Sequence, residues 1–145
     1  NRKNDKGIGG IFMRQLVIAS HGCMAEGVKH TLDFITNNSF SIHAVNAYAS
    51  ASPLEELLKN VFDSFPDTDE VVILTDMLTG SVNQACVAYR NDHVFLLTGF
   101  NIPAALEILL YPQDQSLTYD ILMHIVENAR AQLQLVLYAE EMEDE

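Results

Sequence analysis

Basic residues are scarce in this chain of 145 residues: 8 lysines and arginines stand against 20 aspartates and glutamates, a formal net charge of −12. A field of that sign repels nucleic acid and anionic membranes and favours basic protein surfaces. Cysteine is nearly missing as well. Cys23 and Cys86 are the only two, and neither lies in a CxxC. Two are too few for a disulfide framework in a chain this long, so a reducing, cytoplasmic setting is expected. No apolar run reaches the length of a membrane span. The stretch 1–12 is basic and glycine-rich, but no long apolar segment follows it, so no signal peptide is expected. There is no GxGxxG and no Walker loop, which leaves nucleotide binding without support. No histidine, cysteine or carboxylate spacing is that of a metal site, and neither a metal nor another cofactor is expected.

What is present points to one packed domain. Hydrophobic residues make up 48% of the chain, enough to build a core at this length. Residues 15–19 form a short apolar, partly β-branched run that stops at Ser20-His21-Gly22. A helical stripe of Ala25, Val28, Leu32 and Ile35 follows, then Asn37-Asn38 as a break. Strands are predicted at 40–47, 70–75 and 93–98, and helices at 52–65, 82–89, 104–110 and 118–133. Ser52 is predicted to cap the second helix with Pro53 at its first position. Residues 135–138 are predicted as one last strand. The apolar run Val71–Leu74 suits a parallel strand covered on both faces. The alternation predicts an α/β fold of three layers, with a mainly parallel central sheet and helices on both faces. One domain is expected over 15–139, preceded by an extension over 1–14 and followed by an acidic tail over 140–145. Met13 stands directly before the first strand-like run.

In such folds the sites lie beyond the carboxyl ends of the strands. His21 follows the first strand and precedes a glycine, which leaves room beside the ring and permits a tight turn. Near neutral pH an imidazole offers one nucleophilic nitrogen while the other keeps a proton. The amides that open the next helix are available to an anion on that ring. Asp76 ends the third strand as His21 ends the first, and a carboxylate there can accept the proton-bearing nitrogen. Thr79-Gly80-Ser81 sets a glycine between two hydroxyls where a helix begins, a plausible anion nest. Asn101-Ile102-Pro103 lies at the mouth of the fourth strand. The bland alternatives are a surface histidine, a turn aspartate, a serine cap, and a helix start at Asn101 and Pro103. Cys23 reads as a small residue of a first helical turn.

Taken together, these segments resemble the IIA component of the mannose-type sugar phosphotransferase system of bacteria. The likeness rests on Leu16-Val17-Ile18-Ala19-Ser20-His21-Gly22 with Ala25-Glu26-Gly27, on Val72-Ile73-Leu74-Thr75-Asp76 with Gly80-Ser81 and Asn83, and on Thr98-Gly99-Phe100-Asn101-Ile102-Pro103 with Leu106-Glu107. They stand in the family's order and at about its spacing. The resemblance implies that His21 carries a phosphoryl group received from the phosphocarrier HPr and donated to a IIB component. It implies catalytic roles for His21, Asp76 and Ser81, and phosphoryl-stabilising or bordering places for Gly22, Thr79, Gly80, Asn101 and Pro103. It also implies a homodimer, with exchange of the strand at 135–138 possible, and membrane contact only through a permease complex. Where the family has Gly-Gly-Ser-Pro, this chain has Thr79-Gly80-Ser81-Val82. Three other functions remain open on the residues alone. One is a regulatory module of the same fold that reports phosphorylation without onward sugar transport. Another is a hydrolase using Ser20 or Ser81 with His21 and Asp76, although no GxSxG is present. The last is a purely structural oligomer.

Overall fold

The computed structural model describes residues 12–138. Among the described residues nine elements follow one another: β1 (Arg14–His21), α1 (Met24–Ile35), β2 (Ser41–Ala47), α2 (Leu54–Asp63), β3 (Glu70–Thr75), α3 (Ser81–Val87), β4 (Val94–Thr98), α4 (Ile102–Leu110) and α5 (Tyr119–Arg130). The strands form one parallel sheet in the order β2-β1-β3-β4. The chain runs from β1 to one side and then returns to the other. The ends of β1 and β3 therefore flank the point where the strand order reverses, the usual position of a site in a doubly wound sheet.

Alternation along β1 divides the core into two layers. Leu16 and Ile18 point to one face with α1, α4 and α5, while Val17 and Ala19 point to the other with α2 and α3. All four are fully buried. Burying one such leucine or isoleucine contributes about 1.5–3 kcal/mol. A central strand wrapped in this way is a rigid mount for whatever stands at its end.

β1 opens at Arg14, inside the stretch expected as an extension. Phe12 is buried as well. The Arg14 guanidinium is enclosed: Nε donates to Glu70 Oε1 (2.9 Å), one terminal nitrogen to the Ile108 and Tyr111 carbonyls, and the other to those of Pro112 and Gln115. All of its N–H groups thus meet oxygen, and the side chains of Arg14 and Glu70 are 2% and 0% exposed. This clasp closes the amino end of the sheet.

Several element ends shift, with α4 starting at Ile102 rather than 104 and α5 stopping at Arg130 rather than 133, and two predictions change outright. The α2 helix begins at Leu54 with Pro53 as its cap residue, and Ser52 does not cap it. The Pro53 carbonyl accepts the Glu56 and Leu57 amides, which makes it the helix boundary. The last strand expected at 135–138 does not form within the chain. Leu133–Leu137 hold neither helix nor strand, and Leu135 and Tyr138 are 89% and 88% exposed. A strand needs a sheet edge, and the chain does not return this segment to one. The predicted acidic tail lies outside the described residues.

Candidate functional site

His21 is the last residue of β1, and its side chain is 37% exposed. Gly22 turns the chain out of the sheet at a φ of 62°, where a residue without Cβ is favoured. Its amide donates to the Ala47 carbonyl (2.8 Å), pinning the turn to the end of β2.

Asp76 stands immediately beyond β3. Its Oδ2 accepts both the His21 backbone amide and the ring Nδ1, each at 2.9 Å. Its Oδ1 accepts the Met77 amide at 3.1 Å. An ionised carboxylate only accepts, so in the neutral ring the bond to Nδ1 places the proton on that nitrogen and leaves a lone pair on Nε2. Burial works to raise the Asp76 pKa. The hydrogen bonds from the His21 amide and ring, with the charge of that ring and the local amide, outweigh it and hold the carboxyl below its ordinary value. Asp76 is thus ionised throughout the neutral range.

Gly80 lies against the free side of the imidazole. A Cβ built there would sit 3.4 Å from His21 Cε1 and 3.8 Å from Nε2. Its φ of 151° is itself unfavourable for a side chain. Ser81 follows as the first residue of α3, and its Oγ meets the Tyr48 hydroxyl at 2.5 Å. Gly80, rather than Ser81, occupies the cap position of α3.

Asn83 shapes the loop between Asp76 and Gly80. Buried in α3, it accepts from Thr75 Oγ1 (2.8 Å) and donates to the Leu78 carbonyl (3.2 Å). Thr79 is exposed. It is not among the described non-glycine residues at positive φ, namely Asn37, Asn38 and Tyr48, so its backbone has no need of glycine. Val82 is fully buried against the α2–α3 face and serves the core.

Two expected contributions are spent elsewhere. The Ala25 and Glu26 amides that open α1 are taken by Ser20 Oγ (2.7 Å) and Asn46 Oδ1 (3.1 Å), so they are not free for an anion. Asn101 caps α4 by accepting the Ala104 amide and ties it to α5 by donating to the Ala129 carbonyl. Pro103 lies in the first turn of α4, beside a cleft shared with Glu107 and His124.

Among the described residues, no hydrogen bond joins Ser20 or Ser81 to His21, as a serine hydrolase would require. No group of three or more potential ligands among them can hold a metal ion. The other histidines are engaged in structure where contacts are seen. His43 on β2 lies against Phe65, and burial, with the Lys29 charge second, lowers its pKa. His93 lies between Asp92 and the Asp67 carbonyl.

Tyr48 is the residue that sequence reasoning missed. It stands just beyond β2, its ring 5.8 Å from that of His21 and tilted by 42°. The rule that led to His21 and Asp76, inspecting the carboxyl end of each strand, would have reached it too. The site is then a fixed imidazole with one exposed nucleophilic nitrogen, a carboxylate behind it, and a glycine and two hydroxyls beside it. Such a site can accept an electrophilic group and give it up again.

Residues 15–126 match the family described as EIIA-man, PTS system fructose IIA component. The chain is 28% identical to a Klebsiella pneumoniae subsp. pneumoniae protein ascribed to the phosphoenolpyruvate-dependent sugar phosphotransferase system as a permease. The likeness covers 86% of this chain and 91% of that one, with a TM-score of 0.76. It is also 28% identical to the PTS IIA protein associated with the fucose utilization operon of Streptococcus pneumoniae, over 86% and 94% of the two chains, with a TM-score of 0.71. The mannose/sorbose specific IIA subunit of Enterococcus faecalis shares the fold at 16% identity and a TM-score of 0.72, over 89% and 98% of the chains.

Proposed function

The chain belongs to the mannose-type IIA family of the phosphotransferase system, and on that premise we propose that His21 is the residue on which it carries the phosphoryl group. Members are histidine phosphotransferases that pass a phosphoryl from HPr to IIB through a phosphohistidine, and membership implies interaction with both partners. The observation that carries the assignment to His21 is the Asp76 bond to Nδ1, which in the neutral ring leaves the Nε2 lone pair on the side of Gly80.

The step follows from that geometry. The Nε2 lone pair attacks phosphorus in line. The donor's N–P bond breaks as the Nε2–P bond forms, and its electron pair returns to the donor imidazole. His21 keeps its Nδ1 proton and becomes a cationic ring held by the Asp76 carboxylate. Ser81 donates to a phosphoryl oxygen beside Gly80, whose missing side chain leaves the space. Because transfer of this kind needs positioning and charge stabilisation more than covalent help, the same arrangement runs in reverse toward IIB.

Partners dock on the collar around His21. Met24, Met77, Leu78 and Tyr48 are 48%, 49%, 70% and 60% exposed and give it an apolar rim. The net charge of −12 favours basic partner surfaces. The chain works in the cytoplasm and meets the membrane only through a permease complex. Among the described residues no helix is long and apolar enough to cross a membrane.

The decisive test is intact-mass analysis after incubation with phosphoenolpyruvate, enzyme I and HPr. The protein gains one acid-labile phosphoryl and His21→Ala gains none. No gain, with enzyme I and HPr active on a control IIA protein, would remove the carrier assignment. Gain without onward transfer to any IIB would favour the regulatory module instead.

The functional unit is a homodimer in which 135–138 of one chain lies along β4 of the other. Among the described residues the outer edge of β4 has no strand partner. Leu96 and Leu97 of β4 line a groove with Leu122, Met123 and Val126 of α5. The apolar, exposed 135–138 segment is suited to fill it. Light scattering is expected to show a dimer for the whole chain and a monomer after truncation at Gln132. A monomeric whole chain would end the dimer reading.

A further inference from the structure

Tyr48 combines three properties that packing alone does not reconcile. Its backbone φ is 66°, in a region that bulky residues rarely occupy. It is 60% exposed, so burial gives little reason to keep a tyrosine there. Yet it is held firmly in place. The parallel register sets Ala47 opposite His21, and the Gly22 amide bonds the Ala47 carbonyl at 2.8 Å, so the next residue begins beside the site. From there its ring reaches to 5.8 Å from the imidazole and its hydroxyl to 2.5 Å from Ser81 Oγ. Strained backbone that persists at an exposed residue calls for a role outside packing.

We propose that Tyr48 is a positioning residue for phosphoryl transfer: its hydroxyl donates to Ser81 Oγ and so aims the Ser81 proton at the phosphoryl group on His21. The proposal rests on His21 being the carrier residue. A serine hydroxyl has one proton and two acceptor sites, and its proton rotates to suit its surroundings. The phenol is the more acidic of the two hydroxyls and is therefore the donor. Once Ser81 Oγ accepts from it, the serine proton is the remaining donor and turns to the free side, where Gly80 leaves room beside Nε2. Each bond in such a chain polarises the next. The donor is then oriented before the phosphoryl arrives, which is the condition under which a hydrogen bond lowers a barrier. The tilted ring also covers one flank of the imidazole and keeps water from that side of the phosphohistidine.

The experiment is a double-mutant cycle on the rate of phosphoryl transfer from phospho-HPr, with Tyr48→Phe, Ser81→Ala and the pair. Tyr48→Phe keeps the ring and deletes only the hydroxyl. It is expected to slow transfer about 5- to 10-fold, the scale of one hydrogen bond, and to shift the phosphorus resonance of the phosphohistidine. Adding it to Ser81→Ala is expected to cost nothing further, since its effect passes through Ser81. A Tyr48→Gly variant relieves the positive φ, so it is expected to be at least as heat-stable as the parent while slower in transfer. Tyr48→Phe at the parent rate, independent effects of the two single changes, or a Tyr48→Gly protein that transfers at full rate would each overturn the proposal. A parent protein that takes up no phosphoryl would instead overturn the assignment of His21 on which it rests.

Discussion

Replacing Asp76 with asparagine is expected to slow phosphoryl uptake by about 10²- to 10⁴-fold while leaving the fold intact, the range over which a positioned proton-handling group acts. The two side chains have nearly the same shape, so the effect comes from hydrogen-bond polarity. Oδ2 of Asp76 accepts twice, from the His21 amide and ring, and Oδ1 accepts the Met77 amide. An asparagine has one oxygen to offer. If its oxygen faces Met77, its NH₂ meets the His21 amide donor head-on and donates to Nδ1, which moves the ring proton to Nε2 and blocks the nucleophile. If its oxygen faces His21, its NH₂ opposes the Met77 amide. Either choice loses a bond, and both remove the negative charge that steadies the phosphorylated ring. Stopped-flow or quench measurement of transfer from phospho-HPr gives the rate. Imidazole ¹⁵N shifts report the tautomer, and an unchanged Nδ1–H signal with a full rate would refute the role given to Asp76. The depressed Asp76 pKa adds a sign. A carboxyl whose folded pKa lies below its unfolded value contributes stability above the unfolded value and loses it as pH falls through the folded one. Uptake should therefore fail in acid below the ordinary carboxyl range.

The larger effect on stability is expected at the opposite end of the same strand. Arg14→Met should cost about 3–5 kcal/mol, as removal of one partner of a buried ion pair does. Glu70 is fully buried and would lose the guanidinium charge beside it. The carbonyls of Ile108, Tyr111, Pro112 and Gln115 would lose a shared donor as well. Denaturant unfolding measures the loss. Adding Glu70→Gln should recover part of it, since the enclosed charge goes with it. Arg14 and His21 stand at opposite ends of an eight-residue strand, about 23 Å apart at 3.3 Å per residue. Phosphoryl uptake per folded molecule should therefore stay near that of the parent. A variant as stable as the parent would show that the clasp is dispensable.

The parts of this architecture that could be read from the sequence are those set by local pattern. β1 and β3 are short apolar runs, and each ends on a polar residue. Once a parallel sheet was inferred, His21 and Asp76 fell at neighbouring strand ends. Their hydrogen bond is the physical outcome of that register. The roles that escaped depend on which groups are already occupied. The first amides of α1 are open by sequence pattern, but Ser20 and Asn46 occupy those of Ala25 and Glu26. Asn101 could border a crevice or cap a helix, and its oxygen and nitrogen are both committed to joining α4 and α5. Thr79 departs from a glycine pattern, yet the loop is moulded by the buried Asn83 and leaves Thr79 with ordinary backbone. Tyr48 follows the end of β2, so its place was legible, but its contact with His21 and Ser81 depends on a cross-strand register and on a positive φ that its residue type does not advertise. The segment at 135–138 has strand composition, but within one chain it does not lie along the open edge of β4.

β1 and β3 are joined at both ends by a side-chain pair, Arg14 with Glu70 and His21 with Asp76. One pair is sealed from water and the other faces it. Selection can therefore act on them separately. Substitutions on the proposed docking collar of Met24, Met77 and Leu78 would leave untouched the reserve of stability held at the far end.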